Sequence, residues 1–458
     1  MIEVRCHASF LELAGLQLDI DAVNRLSARP DAFSTFAFLE NFWRHEQPRD
    51  GAAAATLWFL TAFREGRLLG YLPLQRTTRK VLGMPVATVG FLVTHDTDRP
   101  HAVARPEHLR AVSAAFYEHL IGRRQEWSLL EFQQQDDSSS LFPPPVTVDL
   151  KHCLVREWPS MENCTIGVRW ASLEDYFAAL ARKFQSNLAR QTQGLFALGR
   201  VECLASSDPA VTPALLKLYL GIEARSWKSQ AQANIARHPG RIAYVEDLLE
   251  SRQPMKVSIQ LLLLDGIPIA GLVNGAFEKS LHALHIVYDE RLARLGPGSV
   301  MLLLGMRQAI AGGFERFNLL SGFQYYKVRW LAQVAPTRIA QIYRVASLWW
   351  WRRLLGDLLR RAGGGGVKAA PAGFNPTRRG SSPEALDAPA AQTSPAQRAQ
   401  IAALIADVRA GDAEFLSMPA LAAVLPFETR RPARSVLMRG PAPRGAAGAT
   451  TAIRSPAG

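Results

Sequence analysis

A glycine turn at residues 296–298 is the feature of this sequence best suited to bind an anion. Gly296-Pro297-Gly298 separates a predicted strand from an apolar stretch, Ser299–Ile310, that predicts a helix. The first turn of a helix exposes backbone N–H groups and the positive end of the helix dipole, and both favour a phosphate. Glycine lets the backbone approach a ligand closely, whereas Pro297 removes one donor. The turn therefore predicts a phosphate-binding site at Gly296, Gly298 and Ser299, the alternative being an ordinary connection between strand and helix.

Ionisable side chains suited to proton transfer lie on and around the strand before the turn. His282 and His285 are three residues apart, and an odd spacing places two side chains on opposite faces of a strand. Only one of them can then face a given cleft, and a histidine there can accept a proton near neutral pH. The candidates for a general base are Glu278, His282, His285, Tyr288 and Asp289.

The elements that must position these residues follow from the apolar pattern. Two runs, Lys256–Leu264 and Ile267–Phe277, flank Asp265-Gly266, which is a hairpin turn signal. A third run, residues 281–288, alternates as a strand does, and a short strand after the helix leads to an aromatic–lysine cluster. That cluster comprises Tyr325, Tyr326, Lys327 and Trp330. The order is strand, strand, strand, glycine turn, helix, strand.

This order and its motifs resemble the GNAT-type acyl-CoA acyltransferases, and more narrowly their CelD-type branch, which is associated with cellulose biosynthesis. That branch has a Tyr-Asp pair after a strand, a Pro-Gly turn before the helix, and then a glycine and a Tyr-Lys-x-x-Trp segment. The matching residues here are Tyr288-Asp289, Pro297-Gly298, Gly322, Tyr326-Lys327 and Trp330. A hairpin in the first half, Gly66–Leu74, matches a further motif, so the resemblance covers residues 34–344.

The resemblance implies an enzyme that uses acetyl-CoA or another acyl-CoA, and no metal, to acylate an amine or hydroxyl. Direct attack on a thioester needs a polarised carbonyl, a deprotonated acceptor and a protonated leaving thiolate, but no enzyme nucleophile. The catalytic residues that it implies are His285, Asp289, Tyr326 and Lys327. The superfamily's loop has Gln or Arg three residues before its first glycine, where this chain has Ala293. The pyrophosphate grip then either uses Arg291 or Arg294 in an altered geometry, together with Gly296, Gly298 and Ser299, or has been lost.

The first half repeats the same order of elements between residues 57 and 132, but its strand-to-helix connection, Thr94–Pro100, has no glycine turn. We therefore expect an α/β (α+β) chain with tandem GNAT-like domains, each a mixed, mostly antiparallel sheet flanked by helices. The expected domains are a degenerate one at 1–170, an acyltransferase domain at 171–361, and a largely disordered tail with a short helix at 362–458. Aromatic residues at 33–43 are expected in the core. The basic helix Arg182–Arg190 either is a solvated face or offers Lys183, Asn187 or Arg190 to a ligand.

Composition narrows the possible partners and compartments. The formal charge of +13 suggests nucleic acid or a membrane surface. However, from Ala362 onward there are 11 Lys and Arg against 6 Asp and Glu, and no nucleic-acid-binding motif is present, so no nucleic acid partner is expected. The four cysteines are far apart, and no apolar run approaches the roughly 20 residues that span a bilayer. These features, with the absence of a secretory pattern at the start, predict a cytoplasmic protein with reduced thiols.

The acceptor and the alternatives stay open at this point. The expected acceptor is a small metabolite, a sugar or an envelope or exopolysaccharide precursor. A basic, aromatic helix at Trp349–Arg361 either caps the second domain's core, which we favour, or contacts the inner face of an anionic membrane. The alternatives are a Fem-type transferase, which uses aminoacyl-tRNA to build peptidoglycan bridges, and a non-catalytic scaffold protein in exopolysaccharide production.

Overall fold

The computed structural model describes residues 1–45, 55–81, 83–93, 96–230, 235–237, 239–250, 253–322, 325–362 and 393–427. Within these ranges the chain folds into two mixed sheets flanked by helices, which confirms the predicted fold class. Of the tail 362–458, for which the sequence predicts a largely disordered chain, residues 363–392 and 428–458 lie outside the described ranges.

The first sheet is built mainly by the first half of the chain. Its strands are β1 Glu3–His7, β2 Thr56–Arg64, β3 Arg67–Val81, β4 Met84–Phe91, β5 Val103–Ala104, β6 Leu129–Gln135, β7 Cys153–Pro159 and β15 Arg338–Arg344. Their order is β1-β2-β3-β4-β6-β15-β7, and β5 pairs with β3. The β4–β6 pair is parallel and the other pairs are antiparallel.

The second sheet carries the predicted site. Its strands are β8 Asn163–Gly167, β9 Val201–Ser206, β10 Lys256–Leu264, β11 Ile267–Phe277, β12 Ser280–Tyr288, β13 Arg316–Ser321, β14 Gln333–Ala335 and β16 Glu414–Leu416. Their order is β14-β8-β13-β12-β11-β10-β9-β16, and the β12–β13 pair is parallel.

Helices cover both sheets. Their bounds are α1 Phe10–Leu13, α2 Gln17–Arg25, α3 Phe36–His45, α4 Pro106–Gly122, α5 Leu173–Ala179, α6 Arg182–Leu198, α7 Thr212–Glu223, α8 Trp227–Gln230, α9 Pro239–Leu248, α10 Pro297–Ala311, α11 Tyr325–Arg329, α12 Leu348–Ala362, α13 Pro395–Ala410 and α14 Met418–Val424. The predicted cap of α5 is present, since the Ser172 hydroxyl accepts a hydrogen bond from the Asp175 N–H at 3.1 Å.

The two halves repeat one another in local detail. Both predicted hairpins form, and each turns on two residues with positive φ: Glu65 and Gly66 in the first sheet, Asp265 and Gly266 in the second. Positive φ at both central positions is the geometry of a tight hairpin whose twist matches its strands. Each hairpin also carries a register irregularity, between residues 62 and 63 and between residues 262 and 263.

The halves exchange strands, so neither sheet is made from one continuous segment. Strand β8, which precedes residue 170, pairs with β13 and β14 in the second sheet, while β15 of the second half lies between β6 and β7 in the first. The predicted boundary at residues 170 and 171 stays a prediction.

A core lies between the halves in addition to one on the outer face of each sheet. Phe33, Phe36, Phe38 and Phe42 are buried as predicted, and the Phe38 ring meets Tyr244 of the second half with centroids 6.0 Å apart. Cys164 and Cys203 are buried, whereas Cys6 and Cys153 are half-buried, and all four are free thiols. Among the described residues, no helix is both long and apolar enough to cross a membrane.

The C-terminal segment 393–427 packs on the second sheet. Helix α13 lies in the part of the tail where the sequence suggests a helix. Beyond it, β16 extends the sheet along β9, and Leu421 and Leu425 are buried beside the second core. The sequence did not predict this docking, because three short apolar stretches acquire partners only when the sheet edge is present.

Candidate functional site

The central feature of the second sheet is a gap between its two parallel strands. The β12–β13 ladder covers only residues 280–282 paired with residues 316–318, although β12 continues to Tyr288. Beyond His282 and Asn318 the two strands diverge. We call the space between residues 283–288 and 319–321 the inter-strand opening, and the His282–Asn318 pair its vertex.

A kink in β13 creates this opening. Leu320 has φ of +59°, which is unusual for a residue with a branched side chain. Its N–H donates to the Asn318 side-chain oxygen at 2.9 Å, and the register of β13 against β8 shifts between Asn318 and Ser321. The strand therefore bends away from β12 directly after the vertex.

Lys327, predicted to be catalytic, holds this kink. Its ammonium donates to the carbonyls of Leu319, Leu320 and Ser321 at 2.8, 3.3 and 3.2 Å, which engages all three of its donors. The side chain is buried, and burial lowers the pKa of Lys327 below its usual value. This geometry supports a positioning role, in which Lys327 shapes the opening.

The predicted phosphate-binding turn lies at the mouth of this opening. Gly296 has φ of +60° and ψ of +40° and is the N-cap of α10. A Cβ on Gly298 would lie 2.9 Å from the Tyr288 ring, so a bare backbone is required there. The Ser299 N–H donates to the Gly296 carbonyl and Pro297 has no N–H, so fewer donors face outward than at an ordinary helix start.

The two predicted arginines of the turn have different surroundings. Arg291 is paired with Asp289, donating from Nε to Oδ1 at 2.8 Å, and Arg225 donates to Oδ2 of the same carboxylate at 3.0 Å. Burial would raise the pKa of Asp289, but the hydrogen bonds and charges of Arg291 and Arg225 hold it below its usual value. Asp289 is therefore a buried anion that caps the short 3-10 helix Glu290–Leu295, which leads into the turn, and it is a poor proton acceptor. Arg294 is exposed on the solvent side of the turn.

The basic helix α6 borders the same mouth. The Gln191 side chain donates to the Arg294 carbonyl at 3.3 Å, and its Oε1 atom would lie 3.0 Å from a Cβ on Gly296. About two turns nearer the start of the helix, Phe184 packs against Trp330 with ring centroids 5.1 Å apart. Asn187 lies between these contacts and is half-buried, while Lys183 and Arg190 are exposed. The helix thus spans from the glycine turn to the segment after β13.

Tyr326 lies at the other side of the mouth. The residue is 38% exposed, but its hydroxyl is largely shielded from water, and this desolvation, with smaller contributions from Cys164 and Tyr288, raises the pKa of the hydroxyl to about 12. The hydroxyl is therefore protonated at neutral pH and can donate a proton.

Both histidines of β12 face the first half of the chain, which corrects the prediction that they lie on opposite faces. The register against β11 shifts between Val273 and Asn274, where the pairing skips Leu284. This bulge reverses the alternation of side chains. His282 then meets the Phe33 ring with centroids 5.1 Å apart, and His285 Nε2 lies 3.3 Å from Asp96 Oδ1.

Asp98 joins the two halves at the vertex. Its buried carboxylate accepts from Asn163 Nδ2 at 2.8 and 2.7 Å, from Asn318 Nδ2 at 2.9 Å and from Arg99 Nε at 3.3 Å. The Asn163 amide also donates to Asn318 Oδ1 at 3.2 Å. One carboxylate of the first half thereby orients two amides of the second sheet.

This network fixes the tautomer of His282. Asn318 Oδ1 must be an acceptor because the Leu320 N–H donates to it, so Asn318 Nδ2 is the group 3.3 Å from His282 Nδ1. Burial lowers the pKa of His282 to about 4, so the ring is neutral at pH 7. The Nδ1 atom accepts, and the proton is on Nε2, which makes His282 a hydrogen-bond donor on its other edge.

His285 has the surroundings expected of a proton acceptor. It is 8% exposed, and the neighbouring Asp96 carboxylate also lies 3.4 Å from Arg241 Nη2. A carboxylate beside one ring nitrogen can orient a histidine. The sequence analysis did not predict a role for Asp96 or Asp98, although both lie in the connection Thr94–Pro100. Only the fold shows which side chains these two carboxylates contact.

A cleft of about 140 Å³ lies between the halves next to the vertex. Its lining includes Asp31, Asp98, His282, Asn318 and the arginines at 29, 99 and 316. Arg29 is paired with Asp136 at 2.9 Å, and Arg316 donates through Nε to Ser280 at 3.0 Å. In the described part of the chain, no three His, Cys, Asp or Glu side chains form a metal-ligand cluster.

Comparison with known proteins bears on this site. Residues 182–328 match the family model of the acetyltransferase (GNAT) domain, and this range contains α6, the glycine turn, the inter-strand opening and Lys327. No curated protein matches the sequence.

Three solved structures that match this chain have low sequence identity to it. The alignment with FemX has 11% sequence identity and a TM-score of 0.49, and it covers 78% of this chain and 99% of the FemX chain. A tandem GNAT protein from the clavulanic acid biosynthesis pathway has 12% identity, covers 76% of this chain and 99% of its own, and has a TM-score of 0.41. The C-terminal domain of a putative lysylphosphatidylglycerol synthetase from Agrobacterium fabrum has 13% identity, coverage of 77% and 97%, and a TM-score of 0.44. From the family match, the second half of the chain contains a GNAT-type acetyltransferase domain.

Proposed function

We propose that this protein is an acyl-CoA-dependent N- or O-acyltransferase whose acceptor binds between the two halves of the chain. The observation that carries the proposal is the inter-strand opening, which runs from the glycine turn at the start of α10 to a vertex lined by polar side chains of both halves. A thioester arm entering at the mouth would reach the vertex, and an acceptor in the cleft would approach it from the opposite face.

Residues at the mouth suit the diphosphate of acetyl-CoA or a longer acyl-CoA. Gly296 and Gly298 keep the backbone bare at the positive end of a 15-residue helix, and Arg294, Arg190 and Lys183 supply positive charge nearby. When bound, this co-substrate supplies an activated thioester. Arg291 contributes by pairing with the Asp289 carboxylate, which caps the short 3-10 helix Glu290–Leu295 before the turn.

Polar side chains along the opening, from Tyr326 at the mouth through His285 to His282 at the vertex, can divide the proton transfers among them. His285, oriented by Asp96, accepts the proton that the acceptor nitrogen or oxygen loses as it bonds to the acyl carbon. His282 donates a hydrogen bond from Nε2 to the acyl oxygen as negative charge develops there. Tyr326 gives its proton to the sulfur as the carbon–sulfur bond breaks.

The cleft suits a small polar acceptor. Arg316 is exposed at its edge, and hydroxyl and amide groups from Thr165, Ser280 and Asn318 line it. Such a lining fits the amine or hydroxyl of a small metabolite or sugar, including an envelope or exopolysaccharide precursor of the kind that the CelD-type resemblance implies. We place this activity in the cytoplasm, where acyl-CoA is available.

Binding of acetyl-CoA tests the proposal directly. Isothermal titration of the full chain should show saturable binding, and Gly298→Ala should weaken it about ten-fold or more, because the new Cβ would lie 2.9 Å from the Tyr288 ring. Gly122→Ala is the matched control, since nothing lies within 4 Å of its Cβ, and it should bind as the wild type does.

Two results would replace the proposal. Binding of charged tRNA without binding of acetyl-CoA would favour the Fem-type alternative. Absence of both, with an unchanged cellular phenotype in Gly298→Val and Tyr326→Phe, would favour a non-catalytic scaffold.

A further inference from the structure

Helix α12 presents an apolar stripe to solvent. Trp351, Leu355 and Leu358 are 54%, 58% and 53% exposed. Their spacing of four and three residues places them on one face of the helix. The sequence favoured this stripe as a cap on the second domain's core, but its side chains face away from the protein.

The helix is held firmly with this stripe outward. Buried Ser347 caps the start of the helix. Its hydroxyl accepts a hydrogen bond from the Trp350 N–H at 3.2 Å, and its carbonyl accepts one from the Trp351 N–H at 3.0 Å. On its inner side, the Arg353 guanidinium lies 4.2 Å from the Trp158 ring centroid of β7. The helix therefore packs on the β7–β15 edge of the first sheet, and its orientation is set by that packing.

Positive charge accompanies the stripe. The helix carries four arginines, at 352, 353, 360 and 361, and one acidic residue, Asp357. Arg352 is exposed next to Trp351, and Arg156 is exposed on the neighbouring edge strand. An indole at the end of an apolar stripe, with basic residues beside it, matches the polar–apolar boundary of a bilayer that carries anionic lipids.

We propose that α12 docks this protein on an anionic membrane surface, with Trp351, Leu355 and Leu358 inserted at the headgroup level and Arg352 on lipid phosphates. The partner is the lipid surface, because α12 carries both the exposed apolar stripe and basic residues whose charge is complementary to anionic lipids. This inference is independent of the acyltransferase proposal, because α12 lies outside the matched domain and away from the inter-strand opening.

Vesicle co-sedimentation of the full-length chain tests the inference. Wild-type protein should sediment with vesicles of equal phosphatidylglycerol and phosphatidylcholine and should remain in solution with phosphatidylcholine alone. The double variant Leu355→Glu/Leu358→Glu should bind the anionic vesicles at least about ten-fold more weakly. Arg352→Gln should weaken binding about five-fold, the effect of one basic residue near such a surface.

The matched control is Leu11→Glu/Leu18→Glu. These leucines are 87% and 85% exposed on α1 and α2, and the double change alters the net charge by the same amount. It should bind anionic vesicles nearly as the wild type does. Equal losses in both double variants, no loss in the α12 variant, or no wild-type binding would each overturn the proposal. So would a wild-type dimer in sedimentation velocity that the α12 variant dissociates, since the stripe would then be an interface between copies.

Discussion

Removing the Asp98 carboxylate should destabilise the protein and disable the vertex together. In Asp98→Ala, the buried amides of Asn163 and Asn318 lose the acceptor that lies 2.7–2.9 Å from them. Each amide keeps one other acceptor, Asn318 Oδ1 for Asn163 and His282 Nδ1 for Asn318, so one N–H of each amide is left without a partner. A buried N–H in that state costs about 1–3 kcal/mol, which predicts a loss of about 2–6 kcal/mol in the free energy of unfolding. Arg99 loses less, because it also lies 3.5 Å from Asp136.

Urea unfolding followed by circular dichroism measures this loss, and a double-mutant cycle assigns it. Combining Asp98→Ala with Asn318→Ala should give a coupling energy of about 1–3 kcal/mol, because both changes remove the same contact. Asp137→Ala is the control: its side chain is 89% exposed, and the change should stay within about 0.5 kcal/mol of the wild type. If Asp98→Ala costs less than about 1 kcal/mol, the amides have other acceptors and the reasoning is wrong.

Three further predictions concern other buried groups. Lys327→Met should lower the free energy of unfolding by about 3 kcal/mol and reduce acyl transfer, because three carbonyls lose their donor. Lys279→Met, at an exposed site, should do neither. An altered pH profile of kcat/KM in any active Lys327 variant would indicate catalysis instead of positioning. Burial raises the pKa of Asp31 from 3.8 to about 6, so the folded state retains a proton that the unfolded state has lost, and stability should fall by about 3 kcal/mol as pH rises from about 3 to 7. Urea titrations should show this fall in the wild type but not in Asp31→Asn, and parallel curves would contradict it. Ending the chain at residue 392 exposes the β9 edge and removes four buried apolar side chains, Ile405, Val408, Leu421 and Leu425. Burial of each side chain contributes about 1.5–3 kcal/mol to stability, so calorimetry should show a lower melting temperature. An unchanged melting temperature would mean that the segment is not part of the folded unit.

Much of the local structure could be predicted from the sequence. The Glu65-Gly66 and Asp265-Gly266 turns specify their hairpins, because the backbone there must adopt positive φ and few residue types do so readily. The glycine turn at 296–298 likewise predicts the start of α10, and the repeated order of strands and helix predicts two similar sheets. These features depend on residues close together in the chain, so their signals are local.

The chemistry at the vertex was decided by tertiary structure. A bulge at Leu284 brought His282 and His285 to the same face, and strand periodicity alone cannot reveal where a bulge falls. The burial that engages Lys327 with three carbonyls likewise depends on how α11 packs against the end of β13.

The sequence by itself determined which elements form and that a glycine turn opens α10. Only the tertiary structure decided which side chains meet across the halves, such as Asp98 and Asn318, which are 220 residues apart. Contacts at that separation leave no periodic or local trace in the sequence, because they arise when two separately patterned sheets exchange strands and bury their polar groups against each other.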